Sequence, residues 1–357
     1  MTKLIIIGGF LGSGKTTLLA DIAKKLTTQG RKVGLITNDQ APGLVDTRLL
    51  STSGQGVSEV SGSCFCCNFP GFVAAIDSLV SQGADVIVAE PVGSCTDLSA
   101  TIMNPLKKFH SEWNLAPLTV LVDPNRFLEA LGEKTSKVHP DALYIMKLQM
   151  DEADRVFVNK SDTLSDSEKA TITELFAKIY PNKQTGLISA ETGDGVDNWL
   201  SEIQTGKDVG RTIVPVDYDR YANGEAVLGW LNATAAVDSK TDGKTLLTQF
   251  MKDFQTEIKR TNSEVGHVKA TLNLNGKEYV ANLTSLDGAV DVREVEPKTG
   301  SQLLIFNARV EMSPENLEKQ VRDLLGKHDT KIEDFKCLMP GRPNPTHRFE
   351  EVVSGGQ

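Results

Sequence analysis

Histidine is scarce in this 357-residue chain, with only 5 in all, so a Cys/His metal site of the zinc-finger type has few ligands to draw on. Basic residues are not in excess either. The formal net charge of −9 argues against a dominant nucleic-acid partner and leaves no polybasic patch for a membrane surface. Long apolar runs are missing: Leu4–Ile7 breaks at Gly8-Gly9, too short for a signal peptide or a spanning helix, and nothing longer follows. There are 5 cysteines, and three of them crowd into positions 64–67, unlike the framework of a secreted disulfide protein. A reducing cytoplasm is therefore the expected location. No internal repeat or low-complexity tract is present. What remains is ordinary for a chain long enough to hold two domains, with 39% hydrophobic and 24% charged residues.

Against that plain background, Lys3–Thr17 (KLIIIGGFLGSGKTT) reads as a short apolar strand, a glycine loop and a helix start. Gly9, Gly14, Lys15 and Thr16 satisfy the phosphate-loop pattern in full, with Gly12, Ser13 and Thr17 completing the cradle. Glycines let backbone N–H groups curl around phosphates where a side chain would block approach. Lys15 would place a point charge on the outer phosphates, Thr16 would offer its hydroxyl to Mg²⁺, and the helix N-terminus adds its dipole. A nucleoside triphosphate is the expected ligand.

Apolar strands follow at 32–37, 85–89, 118–122 and 155–158, with a weaker one near 187–189. Helical spacing lies between them at 18–26, 72–80, 98–109, 142–150 and 169–179. That alternation predicts an α/β fold: a phosphate-loop NTPase parallel sheet with helices on both faces and ligands at the carboxyl ends of its strands. The polar stretch 38–56 suits a mobile loop. We assign 1–205 to this domain, 206–225 to a linker, 226–326 to a smaller C-terminal α+β domain and 327–357 to an irregular tail. The hairpin signal Asn275-Gly276 and the capped helix from Ser313 support the α+β assignment. His328, Cys337 and His347 are scattered singly beyond it and are read as bystanders.

Three signals narrow the nucleotide. Asn159-Lys160-Ser161-Asp162 follows the strand 155–158. A carboxylate there accepts two hydrogen bonds from the N1–H and N2–H₂ edge of guanine, a donor pair that adenine lacks. Lys160 can lay its stem on the base, Asn159 can tie the loop to the phosphate region, and Ser189-Ala190 fits a backbone contact to the guanine oxygen. Glu90, delivered by the strand DVIVA, is the candidate for the Mg²⁺ water shell, and Gly93 would admit the backbone to the terminal phosphate. Asp39 or Asp46, in the polar segment, could orient the attacking water or an Mg²⁺ ligand, and the sequence does not choose between them.

The second decisive feature is Glu59-Val60-Ser61-Gly62-Ser63-Cys64-Phe65-Cys66-Cys67. Three thiols so close together suit Zn²⁺ or another soft or borderline transition metal, with Glu59, Cys95 or water as fourth ligand. The spacing is not the CxxC of a redox dithiol.

Taken in order, GGFLGSGKTT, the Asn38–Asp46 segment, E…CxCC and NKSD resemble the CobW/HypB/UreG family of phosphate-loop GTPases of the SIMIBI class, most closely its CobW-like branch. The resemblance covers roughly residues 3–205. It implies a GTP-hydrolysing metallochaperone or metal insertase, slow without partner or metal, in which GTP or GDP governs capture and release of the cargo. Carried over, Cys64, Cys66 and Cys67 become cargo ligands with Glu59 possible; Lys15, Thr16 and Glu90 serve the Mg²⁺–phosphate site; Asp162 reads guanine. A client metalloprotein and a homodimer across the nucleotide face are implied on the same basis. The chain departs from the family pattern at Ser63, where glycine is usual, and at EPVGSC, where many relatives have ETTG. It also lacks the histidine-rich stretch of some relatives. A nucleotide-dependent conformational chaperone without metal cargo is the alternative, and a small-molecule kinase, opposed by NKSD, a third.

Overall fold

The computed structural model describes residues 1–39, 45, 56–207, 209–296, 300–328 and 330–354, without the side chains of Asp39 and Ser61. Its first sheet follows from the apolar runs. Strands β1 (Lys3–Gly8), β2 (Val33–Asp39), β3 (Gly56–Ser61), β4 (Val86–Glu90), β5 (Asn114–Leu115), β6 (Thr119–Val122), β7 (Arg155–Val158) and β8 (Gln184–Leu187) pair in parallel. Their order is β3-β2-β4-β1-β6-β7-β8, with β5 beside β1. Every residue of β1, β4, β6 and β7 is buried, as expected of strands covered on both faces. The crossovers include α1 (Lys15–Thr28), α2 (Phe69–Ser81), a π-helical turn (Ser99–Met103) running into α3 (Asn104–Phe109), α4 (Pro124–Ala130), α5 (Pro140–Glu152), α6 (Asp166–Ile179) and α7 (Val196–Thr205). The expected α/β architecture is thus present.

The chain divides into two units. The first comprises Met1–Gln40, Ser53–Tyr221 and Arg342–Gln357, the second Ala41–Thr52 and Ala222–Gly341. The second unit contains β9 (Gly229–Val237), α9 (Gly243–Arg260), β10 (Val265–Leu274), β11 (Lys277–Leu283), β12 (Asp291–Val295), β13 (Leu303–Val310), α10 (Pro314–Lys327) and β14 (Thr330–Leu338), preceded by α8 (Tyr218–Ala226). Its strands form an antiparallel sheet in the order β12-β11-β10-β13-β9-β14. Leu247, Phe250, Met251, Phe254 and Ile258 make one buried stripe along α9, and Phe250 and Phe254 meet Phe306 edge-on at 5.2 and 5.1 Å. At the β10–β11 turn Asn275 and Gly276 both take positive φ, 53° and 75°, as a tight I′ hairpin requires.

Two boundaries depart from expectation. The segment 206–225 is not a bare linker: Gly210 and Arg211 donate N–H bonds to the Asp154 carboxylate at 2.7 and 3.1 Å, and α8 begins at Tyr218. The tail 327–357 is not irregular throughout, because Thr330–Leu338 is an edge strand of the antiparallel sheet. Its charged residues face outward at an edge, so its pattern resembles a solvated loop. From Arg342 the chain belongs to the first unit again, and among the described residues beyond Leu338 there is no helix or strand.

Candidate nucleotide and metal site

The phosphate loop joins the buried end of β1 to α1. Gly9 and Gly14 have φ of 134° and 91°; a Cβ on Gly9 would strike the Leu121 carbonyl, and one on Gly14 the Asn159 amide. Lys15 donates to the Gly9 carbonyl at 2.9 Å and lies 3.7 Å from Glu90, while the Thr16 hydroxyl donates to Glu90 at 3.0 Å. All three side chains are buried. A hydroxyl and a carboxylate so placed are hard oxygen donors that fit Mg²⁺. Ser13 Oγ is buried with no hydrogen-bond partner among the described residues, a donor left over inside the cradle. Gly93 packs against the loop instead of standing open: a Cβ there would come within 2.7 Å of the Leu11 side chain and 3.1 Å of its backbone nitrogen.

Asn159 connects three loops. Its amide donates to the Ser13 carbonyl at 2.8 Å and accepts from Ala190 N–H at 2.9 Å. Lys160, at φ 60°, reaches the Asp123 carboxylate at 2.7 Å. Asp162 remains exposed and accepts a 2.5 Å bond from the Ser189 hydroxyl. The NKSD motif, Ser189-Ala190 and the phosphate loop therefore come together around one end of the sheet. Asp39 closes β2 opposite Ser61, and Asp46 lies outside the described residues.

The cysteines occupy a tight turn at the start of α2. Cys67 and Asn68 both donate N–H bonds to the Cys64 carbonyl, at 3.1 and 2.9 Å, and Asn68 caps the helix. Cys64 and Cys66 have their sulfurs 3.1 Å apart, Cys66 and Cys67 3.9 Å apart, and the three Sγ atoms lie within 4.8 Å of one another. Hydrogen bonds from Cys66, Cys67 and Cys95 hold the Cys64 thiol well below the usual thiol range. As donors to it, the thiols of Cys66 and Cys67 are pushed up, the latter to about 11. Loading a metal must then displace protons from those two sulfurs. Glu59 does not join this group; the strand registers place it level with Thr37 of β2 and Glu90 of β4.

Three features carried no usable sequence signal. Asn38, at the end of β2, spends its buried amide on the cysteine loop, donating to the Val60 and Ser63 carbonyls at 2.8 Å each and accepting from Phe65 N–H at 2.9 Å. Gln149 of α5 donates to the carbonyls of Gly93 and Cys95. The returning chain crosses the cysteine turn: Asn344 N–H points at Cys67 Sγ at 3.3 Å, and Thr346 N–H donates to the Cys66 carbonyl at 2.8 Å. Arg348 anchors that segment on buried Asp97 at 2.7 Å. His347 packs between Phe69 and Phe109. His328 pairs with Asp253 and Cys337 bonds the Pro314 carbonyl.

A family model described as CobW/HypB/UreG, nucleotide-binding domain, matches residues 3–186. The chain belongs to the CobW/HypB/UreG family. Over 174 residues it is 29% identical to the zinc chaperone YeiR of Escherichia coli K12, covering 48% of this chain and 50% of that one. Over 248 residues it is 24% identical to the zinc-regulated GTPase metalloprotein activator 1 of Dictyostelium discoideum, covering 56% and 51%. The chain thus spans about half the length of the curated relatives it matches. Among solved structures it is similar to the Zn(II)-bound YjiA GTPase from E. coli, with a TM-score of 0.36 and 16% identity over 92% of this chain and 98% of that one. It is also similar to HypB from Helicobacter pylori in complex with nickel, with a TM-score of 0.39 and 19% identity over 58% and 92%. Among the described residues no helix of this CobW/HypB/UreG member is long and apolar enough to cross a membrane.

Proposed function

We propose that this chain binds and hydrolyses GTP and carries a transition metal, most simply Zn²⁺, on Cys64, Cys66 and Cys67 for delivery to a client metalloprotein. The observation that carries the reading is the three-thiol turn, pinned by Asn38 to the carboxyl end of β2 in the sheet that bears the phosphate loop. Lys15 and the loop N–H groups bind and orient the phosphates, Asn159 keeps the base-reading loop in register with them, and Asp162 accepts from the guanine edge. Thr16 and Glu90 are the residues that would hold Mg²⁺, which when bound supplies charge neutralisation on the phosphates. Asp39 or Asp46 orients the hydrolytic water, and the protein works in a reducing cytoplasm as a homodimer across its nucleotide face.

The decisive measurement is metal content. Purified protein should carry close to one Zn²⁺ per chain and the Cys64→Ala/Cys66→Ala/Cys67→Ala variant almost none; retention of metal by that variant defeats the site. Zinc affinity should also differ between the GTP and GDP states, since equal affinities leave no coupling energy with which nucleotide could govern cargo. For the base, Asp162→Asn should weaken GTP about a hundredfold by removing charge-assisted bonds to N1–H and N2–H₂, while improving xanthosine triphosphate. Competition against a fluorescent guanine nucleotide reads this, and unchanged GTP affinity would remove Asp162 from the base site.

A further inference from the structure

Of the three thiols, Cys64 and Cys66 are buried, at 6% and 1% exposure, and Cys67 is partly open, so solvent reaches the cluster at Cys67. The C-terminal segment lies on that side. Asn344 N–H meets the Cys67 sulfur at 3.3 Å, Thr346 N–H donates to the Cys66 carbonyl at 2.8 Å, and the Thr346 hydroxyl donates to the Cys67 carbonyl at 3.2 Å. The run Pro343-Asn344-Pro345-Thr346 suits the task. Proline has no N–H, so both backbone donors of these four residues are spent on the cysteine turn. Pro345 also biases Asn344 towards extended backbone, which leaves less freedom to lose on docking.

The segment is fastened further along. Arg348 donates to the Asp97 carboxylate at 2.7 Å and to the Val214 carbonyl at 3.2 Å. Asp97 is 1% exposed, sits at φ 64° and also accepts from the Tyr218 hydroxyl at 2.7 Å. A buried carboxylate stripped of its cation is costly, so the ion pair with Arg348 resists opening. Phe349 N–H donates to the Ala100 carbonyl at 3.0 Å, and Val353 N–H to the Asn104 side chain at 2.8 Å. All of these contacts lie within the first unit.

We propose that residues 342–353 are a tethered cover on the thiol cluster, latched by Arg348 on Asp97, and that metal enters and leaves the cluster when the latch opens. The proposal rests on the cargo reading of Cys64, Cys66 and Cys67. Arg348 is a positioning residue in this scheme: it acts through the backbone of Asn344 and Thr346, which its ion pair keeps on the cysteine turn. The cover blocks without ligating, since its imidazole, on His347, is packed between the Phe69 and Phe109 rings at 5.2 and 5.1 Å.

Two stopped-flow measurements on the full chain test this: transfer of zinc from loaded protein to excess chromogenic chelator, and uptake of zinc by metal-free protein. Arg348→Ala should quicken both by about tenfold, because the buried pair that holds the cover shut is gone. A cover that meets loaded and empty clusters through the same backbone groups sets the rates and not the equilibrium, so zinc affinity should stay within about threefold of wild type. Arg348→Lys keeps a cation against Asp97 and should recover most of the slow exchange. Thr346→Pro removes the N–H that meets Cys66 and leaves Arg348 and Asp97 in place. It should quicken exchange as well, and it carries the test if Arg348→Ala does not fold. Wild-type rates in either folded variant overturn the proposal. So does faster release with unchanged uptake and an affinity that falls in step, which is the mark of a damaged cluster. Zinc retained by the triple alanine variant overturns the cargo reading and this proposal with it, whereas zinc lost from that variant and exchanged at the wild-type rate by Arg348→Ala overturns the cover alone.

Discussion

Glu152→Gln should abolish most of the loss of stability that the wild-type protein suffers between about pH 5 and pH 8. Glu152 ends α5, fully buried, and accepts from the Thr96 hydroxyl at 3.0 Å and from Ser99 N–H at 2.8 Å. Burial raises its pKa to about 8, and the neighbouring Asp97 adds to the rise, while the Ser99 and Thr96 hydrogen bonds oppose it. The folded pKa thus lies above the ordinary value of 4.5, and between the two the folded chain keeps a proton that the unfolded chain has released. The contribution is complete below the unfolded pKa and is lost as pH rises through the folded one. At about 1.4 kcal/mol per pH unit, that window allows a loss of up to about 5 kcal/mol. Glutamine mimics the protonated acid: its carbonyl accepts from Ser99 and its amide donates to the Thr96 hydroxyl. Denaturant titrations of both proteins at several pH values check this, and parallel pH slopes would sink it. Some slope should remain, because burial also raises the pKa of Asp97, against the pull of Tyr218 and Arg348.

The same physics explains which strands were legible. Strands β1, β4, β6 and β7 sit inside the parallel sheet and are apolar on both faces, so LIII, VIVA, TVLV and RVFV announce themselves. Apart from the two-residue β5, the strands that the sequence leaves unannounced or misplaces are edges. GVSEVS (β3) bounds the parallel sheet at one side, and QTGL (β8), expected near 187–189, at the other. DVREV (β12) and TKIEDFKCL (β14) bound the antiparallel sheet. An edge strand carries polar or charged residues because an apolar one would recruit another chain, and those residues make it read as loop. The sequence groups Glu59 with the cysteine motif, although it belongs to β3, in register with Thr37.

The site divides along a similar line. Lys15, Thr16, Asn159 and Asp162 are candidates from the sequence because each sits in a short motif. Asn38, Gln149 and Arg348 sit in none, and their partners lie 27, 56 and 251 positions away. An asparagine ending a strand looks the same whether it faces water or holds a metal loop. Only the fold reveals which carbonyls it meets.

Asn38 is accordingly the residue whose loss should be felt in both stability and metal binding. At 6% exposure its amide satisfies the Val60 and Ser63 carbonyls and the Phe65 N–H, three backbone groups on either side of Cys64. Alanine would strip all three of their partner at once. With about 1–3 kcal/mol for each buried group left unsatisfied, and some regained where water enters, Asn38→Ala should cost about 4 kcal/mol of folding stability. Zinc affinity should fall about 10- to 100-fold, since residues that orient ligand-bearing elements contribute on that scale. Asn38→Asp separates the two roles of the amide: it keeps the acceptor for Phe65 but turns a charge towards two carbonyls, so it should be no better than alanine at neutral pH and should recover on acidification. Denaturant melts of metal-free protein and chelator competition on loaded protein read the two effects separately. A loss below about 1 kcal/mol with unchanged zinc affinity would show that the cysteine turn holds its shape without β2. A large loss of both would make the end of β2, beside the strand that carries Glu90, a support on which the thiol cluster depends.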